Sequence, residues 1–297
     1  MTGASGFIGR ETIAPLQALG AEIHTLGRGT TARDGVTAHT VDLLGEDPAA
    51  LLAEIAPTHL LHFAWYAEPG KFWHAPENLD WVAASLRLVR GFAAAGGTRA
   101  VCAGSCAEYD WSHALLDETA TPLAPATLYG EAKAALFRML EKAAPRLGLS
   151  FAWGRIFFPY GPLESGARLT GHALDAILSR TTAEFSEGLQ RRDFQHVEDT
   201  AAAFVALLAS GVEGPVNIAS GEAIAVRSLV EHAAHIGEAA HLMRFGARPM
   251  QPGEPSLLAA SIVRLTYEVG YRPRFDLDRG LRDALARRPR RPTSIRI

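Results

Sequence analysis

The sequence predicts an α/β fold with a doubly wound parallel sheet and a smaller C-terminal lobe. Through the first half of the chain, short apolar runs alternate with longer stretches of helical periodicity, a pattern typical of βαβ units. A glycine-rich segment at residues 2–9 leads into the first helical stretch, where such a sheet places its nucleotide-binding turn. The second half lacks this alternation, which indicates a separate lobe.

The elements of the first half follow from the periodicity of the apolar residues, which is two in strands and 3.6 in helices. Strands are predicted at residues 21–26, 37–41, 59–64, 100–103 and 149–158. Helices are predicted at residues 10–19, 48–55, 76–95 and 129–144. Because helices separate the strands, we expect the strands to run parallel.

In the second half, helices are predicted at residues 169–178, 199–208, 226–236 and 277–286, and a strand at residues 216–219. We therefore predict a dinucleotide-binding domain over residues 1–163 and a smaller substrate-binding lobe over residues 164–297, with the chain crossing between them. The Arg/Pro-rich segment at residues 287–291 is predicted to be a solvated tail.

Composition excludes several classes of protein. With 48% hydrophobic and 21% charged residues, the 297-residue chain is typical of a globular protein. Its net charge of −3 gives no reason to expect nucleic acid or an anionic membrane as partner. No apolar run reaches the length of a membrane span, and the first residues show no signal-peptide pattern. Cys102 and Cys106 fit neither a zinc site nor a disulfide framework, so we expect no metal and a reducing, cytoplasmic location.

The segment at residues 2–9 reads Thr-Gly-Ala-Ser-Gly-Phe-Ile-Gly. In a nucleotide-binding turn, Gly3 would permit the tight turn and Gly6 would let a pyrophosphate approach the backbone. Gly9 would allow close packing of helix against strand. Three glycines in eight residues also suit an ordinary loop, so this segment alone does not decide the function.

A second motif adds the chemistry. Tyr129 and Lys133 are four residues apart and share one face of a helix, so the ammonium can lie near the phenol. A neighbouring cation favours phenolate and lowers the pKa of tyrosine from its usual value near ~10. Ser105 precedes them and can hold a substrate oxygen beside the phenol. These groups can move a proton while a cofactor moves a hydride.

Together these motifs resemble the extended short-chain dehydrogenase/reductases, a group known as the NAD-dependent epimerase/dehydratase family. The resemblance extends from Thr2 to about Leu285. Beyond the residues already named, it includes Tyr-Gly-Pro at 160–162, Arg-Asp-Phe-x-x-Val-x-Asp at 192–199 and Asn-Ile-x-Ser-Gly at 217–221. It implies a Rossmann-type fold, a nicotinamide cofactor, a nucleotide-sugar substrate and a homodimer.

The resemblance also implies a set of site residues. The catalytic residues would be Ser105, Tyr129 and Lys133. The cofactor-binding residues would be Gly3, Gly6, Phe7, Ile8, Gly9, Arg28, Asp42, Leu43, Phe63, Ala64, Tyr129, Lys133 and Phe157. The substrate-binding residues would be Ser105, Cys106, Ala107, Phe158 and Arg192.

Arg28 bears on the choice of cofactor. The family often has an acidic residue after the second strand, which holds the adenosine ribose, whereas here Gly27 and Arg28 follow Leu26. An arginine can pair with a 2′-phosphate, so the sequence favours NADP(H), with NAD(H) as the alternative. Asp42 is expected to contact the adenine amino group; its alternative role is to cap a turn.

The residues after Ser105 bear on the reaction. Sugar 4,6-dehydratases of the family have an Asp-Glu pair there, whereas this chain has Cys106 and Ala107, which disfavours dehydration. Glu108 is displaced along the chain and is expected to be a poor substitute. A 4-keto sugar reductase is the first expectation because of Arg28. A nucleotide-sugar epimerase and, from another class, a non-catalytic dinucleotide sensor are the alternatives.

Other departures bear on the substrate. Phe158 occupies a position at which nucleotide-sugar epimerases usually have an asparagine that helps to hold the diphosphate. Arg192 is retained and is expected either to pair with a phosphate or to form a surface ion pair. Trp65, Trp73 and Trp81 form an aromatic stretch that can either stack on the substrate or pack beneath a helix.

A last departure concerns the start of the sheet. The glycine turn should follow a strand, yet only Met1 precedes Thr2. The first strand is therefore expected to be missing from this chain, and we hypothesise a truncated N-terminus.

Overall fold

A computed structural model describes residues 1–29, 33–250 and 253–289. The α-helices are α1 (Ile13–Ala18), α2 (Ala49–Ile55), α3 (Glu77–Ala94), α4 (Leu128–Ala143), α5 (Leu169–Ser179), α6 (Val197–Ala209), α7 (Val226–Ile236) and α8 (Leu277–Arg287). The strands are β1 (Ile23–Gly27), β2 (Val36–Thr40), β3 (His59–His62), β4 (Arg99–Ser105), β5 (Leu115–Leu116), β6 (Ser150–Ile156), β7 (Phe158–Tyr160), β8 (Ala183–Glu184), β9 (Arg191–His196), β10 (Gly214–Ile218), β11 (Ala223–Ala225), β12 (Met243–Arg244) and β13 (Leu257–Ala260).

The main sheet is parallel and runs in the order β2, β1, β3, β4, β6, β10, with Thr2 between β1 and β3. Thr2 pairs in parallel with Leu26 on one side and with His62 on the other. Its N–H donates to Leu61 O at 3.0 Å, and Leu26 N–H donates to Met1 O at 2.9 Å. Met1 and Thr2 therefore occupy the central position in which the sequence led us to expect a missing strand.

Helices cover both faces of this sheet. On one face, α3 and α4 bury Leu88, Phe92 and Leu136 in a shared core. On the other, α1 and α6 bury Leu16 and Phe204. Each such side chain contributes roughly 1.5–3 kcal/mol when fully buried. The predicted doubly wound α/β fold of Rossmann type is thus confirmed.

The second half builds its own sheet and core but also returns to the first. A second sheet has the order β11, β9, β13, β5, and β7 pairs with β9. Helices α5, α7 and α8 enclose apolar residues such as Leu174, Leu229 and Leu281. In contrast, β10 pairs with β6 in the main sheet, and α6 packs against one face of that sheet. The division at residue 163, with the chain crossing between the two lobes, stays a prediction.

Two local expectations are wrong. The predicted strand at 149–158 divides at Phe157, because β6 pairs in the main sheet while β7 pairs with β9 in the second sheet. The predicted solvated tail begins too early, because Arg288 is buried and donates to Asp175 Oδ1 at 2.6 Å and to the carbonyls of Pro162, Glu164 and Gly171. Residues 290 and 291 lie outside the described residues.

Among the residues that the structure describes, no helix combines the length and the apolar character needed to cross a membrane.

Candidate active site

The glycine turn directly follows Met1 and Thr2 in the centre of the main sheet, and it packs beside the residues that follow β3. Gly3 has φ +69°, in the left-handed region, and a Cβ there would lie 2.8 Å from Ala64 N. Gly6 N–H donates to Gly3 O at 3.0 Å. A Cβ on Gly9 would lie 2.1 Å from Gly3 O, so only glycine fits at that position. This turn, which includes Phe7 and Ile8, has the close backbone packing that a pyrophosphate-binding turn requires.

A buried chain of hydrogen bonds fixes the turn to α3. Ser85 Oγ–H donates to Trp81 O at 2.6 Å, so it accepts from His62 Nε2 at 2.9 Å. The opposite ring nitrogen, Nδ1, then accepts from Thr2 Oγ1 at 2.7 Å, and Ala64 N–H donates to Thr2 Oγ1 at 3.2 Å. Burial lowers the pKa of His62 to about 3, so the ring is neutral and structural.

The residues expected at the adenosine end lie at the ends of β1 and β2. Arg28 follows β1 and is exposed, which leaves it accessible to a 2′-phosphate. Asp42 follows β2, and its side chain accepts from Leu44 N–H at 3.2 Å. It therefore caps a turn, which was the alternative to contact with the adenine amino group. Leu43 is buried in the core beside α3. Phe63 packs edge-on against Phe204.

Ser105 lies at the carboxyl end of β4 and caps a short 3₁₀ helix, Cys106–Glu108. Its Oγ accepts from Ala107 N–H at 3.2 Å, while its own N–H donates to Glu108 Oε1 at 2.7 Å. This capping box fixes the backbone that carries the Ser105 hydroxyl.

Glu108 is fully buried behind Ser105. It forms an ion pair with Arg155 at 2.8 Å and accepts from Trp153 Nε1–H at 2.9 Å. A Cβ on Gly104 would lie 2.0 Å from Trp153 Nε1 and 2.6 Å from Glu108 Oε1, so glycine makes room for the carboxylate. The structure thus gives Glu108 a supporting role beneath Ser105.

Tyr129 and Lys133 lie in α4, whose first turn is capped by Thr127 Oγ1 accepting from Gly130 N–H at 3.1 Å. A Cβ on Gly130 would lie 2.3 Å from Ala107 O, so the helix packs directly against the loop of Ser105. The Ser105 side chain is near enough to the Tyr129 phenol to lower its pKa. The structure therefore places Ser105 beside Tyr129, and Lys133 lies one helical turn further along α4.

The electrostatics of Tyr129 differ from the expectation. Burial raises the pKa of Tyr129 to about 12, while the Ser105 hydrogen bond and the Arg168 guanidinium act in the opposite direction. The expected lowering of this pKa by Lys133 is therefore wrong for this structure, because desolvation of the phenolate dominates.

Lys133 is buried, and its ammonium donates to Ala103 O at 2.8 Å. It also lies 3.6 Å from the centre of the Trp65 ring. Burial lowers the pKa of Lys133 to about 7, and the charge of Glu108 acts in the opposite direction.

Aromatic rings surround the Tyr129 phenol on the substrate side. Phe72 and Trp73 pack edge-on against its ring at 4.9 Å and 5.8 Å between centroids. Trp111 is perpendicular to Trp73 at 6.4 Å, and its Nε1–H donates to Cys106 O at 2.8 Å. Of the predicted aromatic stretch, Trp73 thus lies beside Tyr129, Trp65 packs against the core and contacts Lys133, and Trp81 packs against the core.

The remaining expected substrate residues, and Phe157 of the expected cofactor residues, lie beside this surface. Cys106 and Ala107 are buried, and burial raises the pKa of the Cys106 thiol to about 12. Phe157 packs in the same cluster as Cys106. Arg192 is already paired, since its Nη2–H donates to Glu254 Oε1 at 2.8 Å, and its guanidinium lies 5.7 Å from the Phe158 ring centre.

Sequence reasoning did not anticipate the roles of Glu108 and Trp65. The signal for Glu108 was present, because a serine followed three residues later by glutamate is a capping-box pattern. Trp65 directly follows Ala64, so its place at the end of β3 was readable, but its contact with Lys133 was not.

Comparisons with known proteins identify the family and the fold. Residues 1–219 match the model of the NAD dependent epimerase/dehydratase family. A UDP-glucose 4-epimerase from Corynebacterium glutamicum is 23% identical over 302 residues, which cover 92% of this chain and 90% of the relative.

Among solved structures, MoeE5 in complex with UDP-glucuronic acid and NAD has a TM-score of 0.84 at 25% identity, with 96% of each chain covered. A UDP-glucose 4-epimerase from Thermus thermophilus in complex with NAD has a TM-score of 0.85 at 24% identity, covering 96% of this chain and 97% of that one.

The fold and the site define an enzyme built on a Rossmann-type dinucleotide-binding sheet. Because the family match covers more than half of the chain, the protein belongs to the NAD-dependent epimerase/dehydratase family.

Proposed function

We propose that this protein is an NAD(P)-dependent oxidoreductase that acts on a hydroxyl-bearing or keto carbon of a nucleotide sugar. The observation that carries the proposal is the packing of the Tyr129 helix against the Ser105 loop, with Lys133 one helical turn further along the same helix and the Ser105 side chain lowering the pKa of the Tyr129 phenol. Relatives named for UDP-glucose and structures with bound UDP-sugars support the nucleotide-sugar substrate.

A bound nicotinamide dinucleotide would supply or accept the hydride. Its pyrophosphate would lie on the turn of Gly3, Gly6 and Gly9, where a Cβ would fill the space. In reduction, Tyr129 gives its proton to the substrate oxygen and Ser105 hydrogen-bonds to the developing alkoxide. Lys133, whose pKa burial lowers to about 7, supplies positive charge beneath the site in its protonated form.

We favour a 4-keto sugar reductase on one observation. The exposed Arg28 at the end of β1 favours NADP(H), the usual hydride source for net reduction.

An epimerase is the second candidate, favoured by UDP-glucose 4-epimerases among the relatives and by NAD in their structures. Spectra of the purified protein separate the two candidates: NAD that stays bound indicates an epimerase, and exchangeable NADP indicates a reductase.

A homodimer through α3 and α4 is also proposed, since Leu79 and Met139 are exposed on these helices. The cytoplasmic location stays a prediction.

The substitution Tyr129→Phe tests the proposal. We expect turnover of a 4-keto nucleotide sugar to fall by about 10²–10⁴-fold, because the proton donor is removed, while NADPH binding persists. The assay follows consumption of NADPH with a panel of nucleotide 4-keto sugars. Tyr267→Phe serves as a control because Tyr267 is 75% exposed. Unchanged turnover in Tyr129→Phe contradicts the proposal, and NADPH binding by the wild type without consumption on any sugar indicates the sensor alternative.

A further inference from the structure

The Lys133 ammonium is buried without a carboxylate partner. Its residue is 4% exposed, and no salt bridge to it is found within the described residues. Its direct contacts are the Ala103 carbonyl at 2.8 Å and the face of the Trp65 indole at 3.6 Å from the ring centre. A desolvated ammonium over an indole face is the strongest form of cation–π contact.

The indole is held in place from its other edge. Trp65 Nε1–H donates to Asn78 Oδ1 at 2.8 Å. Asn78 is fully buried, and its Nδ2 donates to the carbonyls of Phe72 and Ala75, each at 2.8 Å. The Trp81 ring packs on the indole at 6.2 Å. The Asn78 amide therefore ties the Trp65 indole to the loop that carries Phe72.

We propose that Trp65 is a positioning residue for Lys133, whose ammonium it fixes against the Ala103 carbonyl one helical turn from Tyr129. The proposal rests on the proposed function, in which Lys133 acts as a cation. The indole face stabilises the charged form of Lys133, which burial disfavours. The other titratable groups facing the ammonium are Glu108, the Cys102 thiol and His62.

A pair of variants at position 65 separates the π face from simple packing. Trp65→Leu keeps an apolar cover over the ammonium but removes the ring, whereas Trp65→Phe keeps a ring. The chain has three lysines, and Lys71 and Lys142 are exposed, so ¹³C-lysine NMR can follow Lys133 beside two internal references. We expect the pKa of Lys133 to fall by about one unit in Trp65→Leu, a tenfold change in its protonation equilibrium, and to change little in Trp65→Phe.

Activity provides the second readout. The pH above which kcat/KM declines should move down by about the same unit in Trp65→Leu, with roughly a fivefold loss at neutral pH, and Trp65→Phe should restore most of it. Circular dichroism checks that both variants fold. An unchanged Lys133 titration in folded Trp65→Leu, or equal effects in the leucine and phenylalanine variants, overturns the proposal.

Lys133→Met distinguishes failure of this inference from failure of the proposed function. If Lys133→Met loses turnover while Trp65→Leu behaves as wild type, only the role of Trp65 is refuted. If Lys133→Met keeps full turnover, the proposed catalytic function is wrong, and the NMR titration still decides whether Trp65 stabilises the charged lysine.

Discussion

The cofactor side and the substrate side of the site are built in different ways. On the cofactor side, the backbone itself makes the close contacts, since a Cβ on Gly3 or Gly9 would meet neighbouring backbone atoms at 2.8 Å or less. On the side of Ser105 and the substrate, charged side chains pair across long sequence distances, as Glu108 does with Arg155 and Arg192 with Glu254. Backbone contacts demand glycine locally, whereas side-chain pairs depend on residues far along the chain.

The largest expected effect comes from breaking the side-chain pairing beneath Ser105. Glu108→Gln leaves the Arg155 guanidinium buried without its counter-charge, and both side chains are at most 1% exposed. Removing one partner of a buried pair costs about 3–5 kcal/mol. We expect the free energy of unfolding in urea to fall by that order, and kcat to fall because the hydrogen bond from Ser105 N–H to this side chain loses its negative charge.

Two controls accompany this measurement. Asp278→Asn removes a partner of Arg282 in an exposed pair and should leave the free energy of unfolding nearly unchanged. Glu108→Gln combined with Arg155→Met should recover part of the loss, because no unpaired charge then remains. If Glu108→Gln has the same free energy of unfolding as Asp278→Asn, the ion pair between Glu108 and Arg155 does not stabilise the substrate side of the site.

Much of the fold was predictable from the sequence, because helices such as α3, α4 and α7 carry a strong apolar periodicity over 11 residues or more. Strand β9 was missed because Arg191–His196 contains arginines, an aspartate and a histidine, which pair with other side chains rather than mark a strand. The switch of sheet at Phe157 was also missed, since pairing partners lie far away in sequence.

A second prediction breaks the backbone contacts on the cofactor side. In Gly9→Ala, the new Cβ would lie 2.1 Å from Gly3 O and 2.8 Å from Gly3 C. Overpacking of this kind costs about 1–3 kcal/mol, and the displaced turn should also bind NADPH weakly. Urea unfolding without cofactor and fluorescence titration with NADPH measure the two effects.

Gly6→Ala is the matched variant on the same turn. Its Cβ would lie 3.1 Å from Gly3 O, a contact that a small shift can relieve. We therefore expect stability close to wild type and weaker NADPH binding, because Gly6 is where the pyrophosphate approaches the backbone. Equal loss of stability in both alanine variants would show that the turn is not as closely packed at Gly9 as the structure indicates.

The candidate site was predictable to the extent that its motifs are local. The spacing of Tyr129 and Lys133 in α4 and the place of Ser105 at the end of β4 followed from the sequence. The partners that decide their charge did not, because Trp65 reaches Lys133 and Arg168 influences Tyr129 only in the folded chain.

The third prediction, with the smallest effect, sharpens the comparison on the substrate side. Arg192 is 5% exposed and paired with Glu254, whose side chain is 27% exposed, so Glu254 competes with any substrate phosphate for this guanidinium. In Glu254→Gln the competing charge is gone, and we expect KM for a nucleotide diphosphate sugar to fall by roughly 5–10-fold, the size of one modest charge-assisted hydrogen bond. Because the pair is partly solvated, the gain should shrink at high salt.

Arg192→Met should raise KM and abolish the benefit of Glu254→Gln in the double variant. If Glu254→Gln instead raises KM, Glu254 orients Arg192 for the substrate, and the substrate side is pre-organised by its ion pairs as firmly as the cofactor side is by its glycines.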